Sequence, residues 1–218
     1  MREKYLQQLK QLNDLLIQMG QQVEHSIEMA IGALVGQDVG KAHATIEFEE
    51  EIDEKEKEIE RLCLKLLLCQ QPVARDLRFI SAALKMVTDL ERIGDQASDI
   101  ARISIFLAKE PYINKLDHIK QMAAETTDMV IRSIDAYVEN DVKKARAVIA
   151  HDDVVDDLFK LVRQELVDLI NQDVNNGEQA TDFLMVAKYF EKIGDHAVNI
   201  AEWVIFSVNG VKEKKGDV

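Results

Sequence analysis

Residues 91–101 read ERIGDQASDIA, and residues 191–201 read EKIGDHAVNIA. A register shift of 100 therefore superposes two acidic, glycine-containing helical segments. Upstream, DVGKA at 38–42 matches DVKKA at 141–145, and EEEID at 49–53 matches DDVVD at 152–156, both at a shift of 103. A turn shorter by three residues in the second copy reconciles the two shifts. Each half then reads as one helix–helix–helix unit, residues 1–110 and 111–218, and a single duplication makes a pseudo-symmetric pair rather than a long solenoid.

The breaks in the chain support this division. They fall at Gly36-Gln-Asp38, Gln71-Pro72, Lys109-Glu110-Pro111, Glu139-Asn140-Asp141 and Asn175-Asn176-Gly177. Asp38 and either Asn140 or Asp141 have the side chains of helix N-caps, and Pro72 suits the first turn of a helix, where its missing N–H has no partner to lose. The expected helices span 2–36, 39–70, 72–109, 115–139, 142–172 and 177–208. Rods of that length are economical only side by side, so the fold class is all-α: two tandem pseudo-symmetric bundles of three antiparallel helices.

Composition agrees and excludes several functions. The 218 residues include only 2 Pro and 9 Gly, and the aromatic share of 6% is low for a sheet core. Lys and Arg total 27 against 40 Asp and Glu, a net charge of −13 that repels nucleic-acid phosphates. The polar N-terminus is not an apolar signal, and no run of about 18 apolar residues occurs, so no membrane span is expected. Cys63 and Cys69 match neither a zinc ribbon nor a disulfide framework, which suits a reducing cytoplasm, and Cys63 falls on a core face.

In each half, acids stand where apolar residues belong. Leu77, Ile80, Leu84, Val87, Gly94, Ser98 and Ala101 recur at helical spacing, and the position missing from that stripe is Glu91, with Asp95 one turn later at its edge. Leu184, Ala187, Glu191, Gly194, Asp195, Val198 and Ala201 repeat the arrangement. On the preceding helix, Glu49 and Asp53 share a face with Ala42, Ile46, Ile52, Cys63 and Leu67, and Asp152 and Asp156 with Ala145, Val148, Val155, Phe159 and Ile170. Four carboxylates then meet at one helix–helix seam in each half, with Gly94 and Gly194 permitting close approach. Burying them uncompensated costs several kcal/mol each. Oxygen-rich acidic sites suit Mg²⁺, Ca²⁺, Mn²⁺ or iron. The candidate metal ligands are Glu49, Asp53, Glu91 and Asp95, then Asp152, Asp156, Glu191 and Asp195, with Asp99, Asn199, Glu50 and Asp153 as additional positions.

The competing reading pairs these acids with cations: Arg92 and Lys192 adjoin them, and Arg75 and Arg78 lie on the same helix. Most of the nine acids between Glu47 and Glu60 read as a solvated face, and His196, whose counterpart in the other copy is Gln96, as a hydrogen-bonding or surface residue. A carboxylate-bridged di-metal enzyme in a helical bundle usually adds Glu-x-x-His, which this chain lacks, as it lacks GxxxxGK[ST]. A metal-free helical scaffold is the third possibility.

QPVARDLR at 71–78, leading into DLERIGD at 89–95 and then the second copy at 191–201, resembles the PhoU family over essentially the whole chain. The resemblance implies two three-helix bundles with multinuclear metal clusters, iron or zinc foremost and Mg or Mn as alternatives, on the eight ligands named above. It also implies a cytoplasmic regulator, peripheral at the membrane through protein partners. In that family the protein is a negative regulator that couples the ATP-binding subunit of a phosphate ABC transporter to a phosphate-sensing histidine kinase. A homodimer is expected partly on this analogy.

Overall fold

The computed structural model of the chain describes residues 2–70, 72–113 and 115–213. Six long helices follow one another: α1 (Arg2–Gly36), α2 (Val39–Gln70), α3 (Ala74–Leu107), α4 (Asp117–Glu139), α5 (Val142–Gln172) and α6 (Gly177–Asn209), with a single 3₁₀ turn, Val174–Asn176, before the last. No strand occurs among the described residues. The first three helices pack on one another, as do the last three; α3 lies along α6, and α1 touches α4.

The helix ends follow from local chemistry. Asp141 caps α5, its Oδ1 accepting from the backbone N–H groups of Lys143 (2.8 Å) and Lys144 (3.1 Å). Asp38 does the same for α2 through Lys41 N–H at 2.9 Å. Asn140 instead ends α4 in the left-handed conformation, φ 55°. The expectation that Pro72 opens α3 is corrected: Val73 is the N-cap and the helix begins at Ala74, which leaves the proline ring just before the cap, with Gln71 outside the described residues. Expected residues 108–109 and 115–116 likewise lie outside α3 and α4, in a connection pinned by Tyr112 Oη donating to the Leu34 carbonyl (2.6 Å) and Ile113 N–H donating to Gln179 Oε1 (2.6 Å).

The core is continuous across both halves, because α3 and α6 are covered on two sides. One side of α3 buries Ile80, Val87 and Gly94; another buries Met86, Leu90, Ile93 and Ala97. Leu77, assigned to the first stripe, is instead 46% exposed, in the first turn of α3 beside the α2–α3 connection. Burial alternates identically through 91–101 and 191–201, the structural trace of the repeat. Contacts across the α3–α6 seam are reciprocal in the same way. Asp89 accepts from Asn199 Nδ2 at 3.1 Å, and the phenol of Tyr189, the equivalent of Asp89, meets Asp99, the equivalent of Asn199.

Candidate metal centre

The α2–α3 seam brings together Glu49, Asp53, Glu91 and Asp95, as the repeat implied. Gly94 eases the approach: a Cβ there would lie 2.9 Å from Ile52 Cδ1, so any larger residue requires the buried isoleucine to shift. Either side of that contact the carboxylates crowd. Burial, above all, and then Asp95, Glu56 and Asp53 push the Glu91 carboxyl up to about 7, against a partial offset from Arg92. Burial also raises Glu49, with Asp95 adding to the rise, while Ser98 Oγ, donating at 3.0 Å, and Arg102 at 3.5 Å lower it. Burial is the larger cause of both shifts, and the neighbouring carboxylates add to it.

Glu56, one of the acids expected on the solvated face, belongs to this crowd as well. It is partly buried, its carboxyl raised by burial first and then by Glu60 and Asp53. Its signal was available: Glu49, Asp53 and Glu56 stand at i, i+4 and i+7, one face of a helix. The repeat hid it, because the equivalent position in α5 is Phe159.

The cations that reach Glu49, Glu91 and Asp95 are Arg92 and Arg102, both more than half exposed, and Lys57, paired with Glu54, lies near Asp53 and Glu56. Arg92 reaches Asp95 at 3.0 Å and Glu91 at 3.5 Å. Arg75 and Arg78, the other cations weighed as partners, form no ion pair with these acids. The Cys63 thiol is buried and pushed up to about 12 by that burial, which keeps it protonated and unreactive.

The α5–α6 seam is built alike and charged differently. Asp152 is 4% exposed and lies under Gly194, where a Cβ would stand 3.2 Å from its Oδ1. Asp156 is partly buried one turn along α5. Glu191 pairs with Lys188, and Asp195 with Lys192 at 2.9 Å. Lys188 stands where the first half has Thr88, its ammonium 5.4 Å from the Phe159 ring centroid, while Glu202 stands where the first half has Arg102, so this seam trades one carboxylate for an aromatic ring and moves a cation from position 102 to position 188.

The additional positions lie elsewhere. Glu50 and Asp153 are exposed. Asn199 and Asp99 belong to the α3–α6 seam; Asp89 accepts from His196 Nδ1 (2.8 Å) as well as from Asn199, and Asp99 also meets Arg102 at 3.8 Å. Among the described residues, no three His, Cys, Asp or Glu side chains stand in the arrangement that would hold one ion. Glu49, Glu91, Asp95, Glu191 and Asp195 are turned toward arginine or lysine neighbours. The donor set of the first seam nonetheless fits a hard, oxygen-preferring cation, since five carboxylates, three of them shifted upward, outnumber the exposed Arg92, Arg102 and Lys57 beside them.

Comparison with known proteins gives a consistent result. The sequence model of the PhoU domain family matches residues 16–104 and again residues 119–204. A phosphate-specific transport system accessory protein PhoU homolog from Clostridium acetobutylicum is 39% identical, the match covering 93% of each chain. One from Aquifex aeolicus is 36% identical over 97% of this chain and 99% of the relative. The crystal structure of PhoU from Pseudomonas aeruginosa superposes with a TM-score of 0.90 at 34% identity, covering 95% of this chain and all of that one. The phosphate transport system regulatory protein PhoU from Streptococcus pneumoniae, 24% identical, shares the fold at a TM-score of 0.88 over 96% of this chain and 99% of its own. With the family model matched once in each bundle and the relatives aligned nearly end to end, the chain belongs to the PhoU family.

Proposed function

We propose that this chain is the accessory regulator of a phosphate transport system, a cytoplasmic protein that works by binding partners and not by catalysis. The observation that carries the reading is the near end-to-end match to relatives described as phosphate-specific transport system accessory proteins. No helix among the described residues is long and apolar enough to cross a membrane, which suits attachment through protein partners. The partners in this reading are the ATP-binding subunit of the phosphate transporter and a phosphate-sensing histidine kinase, with the chain as their negative coupler and a second copy as its dimer mate. The test is complementation: in a bacterium lacking its own homologue, this chain should restore repression of a phosphate-starvation reporter in phosphate-rich medium. A reporter that stays fully active refutes the role.

The metal part of the reading assigns Glu49, Asp53, Glu56, Glu91 and Asp95 to one site and Asp152, Asp156, Glu191 and Asp195 to the other. A bound cation supplies positive charge that the seams lack, and so ties α2 to α3 and α5 to α6. Gly94 and Gly194 keep the helices close, and Arg92, Arg102, Lys188 and Lys192 hold the carboxylates when no cation does. The first site, with five carboxylates against four, is the stronger. Metal-free scaffolding is the competing reading, favoured by those ion pairs, and elemental analysis of purified protein separates the two.

A further inference from the structure

At the end of the molecule where α1 and α3 begin and α4 and α6 end, a cavity of about 590 Å³ opens between the two bundles. Its chemistry runs against the acidic character of the chain. Lys10 and Arg75 line it, both exposed, and neither forms an ion pair among the described residues. Arg75 stands in the first turn of α3, whose N-cap Val73 supplies no side-chain acceptor, so the positive end of a 34-residue helix is left uncapped there. Leu9, Phe79 and Val208 form an apolar wall. Asn13 Oδ1 is buried in the lining without any hydrogen-bond partner, an unmet acceptor that a ligand N–H would satisfy.

The internal duplication provides a control within the same molecule. The equivalent cavity at the opposite end, about 380 Å³, places Asn175, Asn176 and Gln179 where the first has Arg75, Asp76 and Phe79. Gln179 closes it by hydrogen bonds to Ile113 N–H (2.6 Å) and the Pro111 carbonyl (3.2 Å). Its charged residues are Lys109, Glu110, Glu178 and Asp182, net negative. One fold position is therefore plugged and acidic, and its twin is open and basic.

We propose that the open cavity binds a nucleoside phosphate. The phosphate meets Arg75, Lys10 and the first turn of α3; the base lies on the wall of Phe79, Leu9 and Val208, with its amino edge toward Asn13. Asp76, the carboxylate of the lining, suits the ribose hydroxyls. Inorganic phosphate alone fills too little of the cavity and leaves Asn13 unsatisfied. The site is separate from the carboxylate seams and independent of the transport role, so either can fail without the other.

The test is calorimetric titration of the full chain with AMP and with inorganic phosphate, in chelator so that no metal-bridged binding contributes. AMP should bind at least about tenfold more tightly than inorganic phosphate, and Arg75→Gln should weaken AMP about tenfold, the worth of one charge-assisted contact. Lys109→Gln, in the twin cavity, should leave AMP binding unchanged. Arg75 is exposed, so its variant keeps the fold, and unchanged circular dichroism verifies that. No AMP binding at millimolar concentration, AMP no tighter than phosphate, or binding indifferent to Arg75→Gln each overturns the assignment.

Discussion

Replacing Glu91 with Gln in chelator-treated protein removes a charge that the α2–α3 seam resists and keeps the side-chain shape. The Glu91 side chain is 17% exposed, and its carboxyl moves from 4.5 in the unfolded chain to about 7 in the folded one. That difference corresponds to ~3 kcal/mol, and solvent screening at a partly open seam reduces it to on the order of 1–2 kcal/mol. The sign follows from proton linkage. A carboxyl raised in the folded state binds more protons there, so its favourable contribution is complete below pH 4.5, falls as pH rises, and is lost above about 7. Metal-free Glu91→Gln should therefore be more stable than wild type at pH 8, by about 3–6 °C in Tm for a chain of this size, and nearly equal to it at pH 4.5. With metal restored the order should reverse at pH 8, because the variant has lost a ligand. Thermal melts followed by circular dichroism at both pH values, with and without chelator, give all four comparisons. A variant that is less stable than wild type at pH 8 in chelator would refute the claim that Glu91 is an uncompensated charge.

Three further perturbations follow from named contacts. Gly94→Ala places a methyl 2.9 Å from Ile52 Cδ1, and the overpacking cost of about 1–3 kcal/mol outweighs the ~1 kcal/mol of helix propensity gained; chemical denaturation should show a net loss that Ile52→Val partly restores. Asp89→Ala strips His196 and Asn199 of their shared acceptor across the α3–α6 seam and should cost about 1–3 kcal/mol in the same assay. Asp141→Ala removes the cap of α5 and should cost ~1 kcal/mol, whereas Asp141→Asn, which can still accept, should cost less.

The helices were legible because their boundaries are set by local chemistry: Asp38 and Asp141 cap, and few residues break the rods between. Pro72 shows the limit of that reasoning, since a proline fits just before a cap as well as just inside a helix, and nothing local distinguishes the two. The crowding of Glu49, Asp53, Glu91 and Asp95 between α2 and α3 was legible because duplication marks what is kept in both halves. The same filter concealed Glu56, whose counterpart is Phe159, and Lys188, whose counterpart is Thr88, so the inequality of the two seams emerged only from the packed structure. The seam between bundles was hidden for a different reason. Asp89, Asp99, His196 and Asn199 are polar residues whose partners lie about 100 residues away in the chain, and helical periodicity carries no record of which partner a polar residue meets. Arg102 could be placed on α3 from sequence, but its reach to Glu49 depends on the register between α2 and α3.

The claim that the seams hold cations is tested most directly by elemental analysis of the purified protein beside two double variants, Glu91→Gln with Asp95→Asn and Glu191→Gln with Asp195→Asn. Wild type is expected to retain stoichiometric transition metal or Mg²⁺ after extensive dialysis. The first double variant should lose the larger share and the second the smaller, both with helicity intact. Wild-type protein free of metal after growth and purification in metal-replete medium, or full metal content in both variants, would contradict the ligand assignment and leave the arginine and lysine pairs as the whole account of the seams.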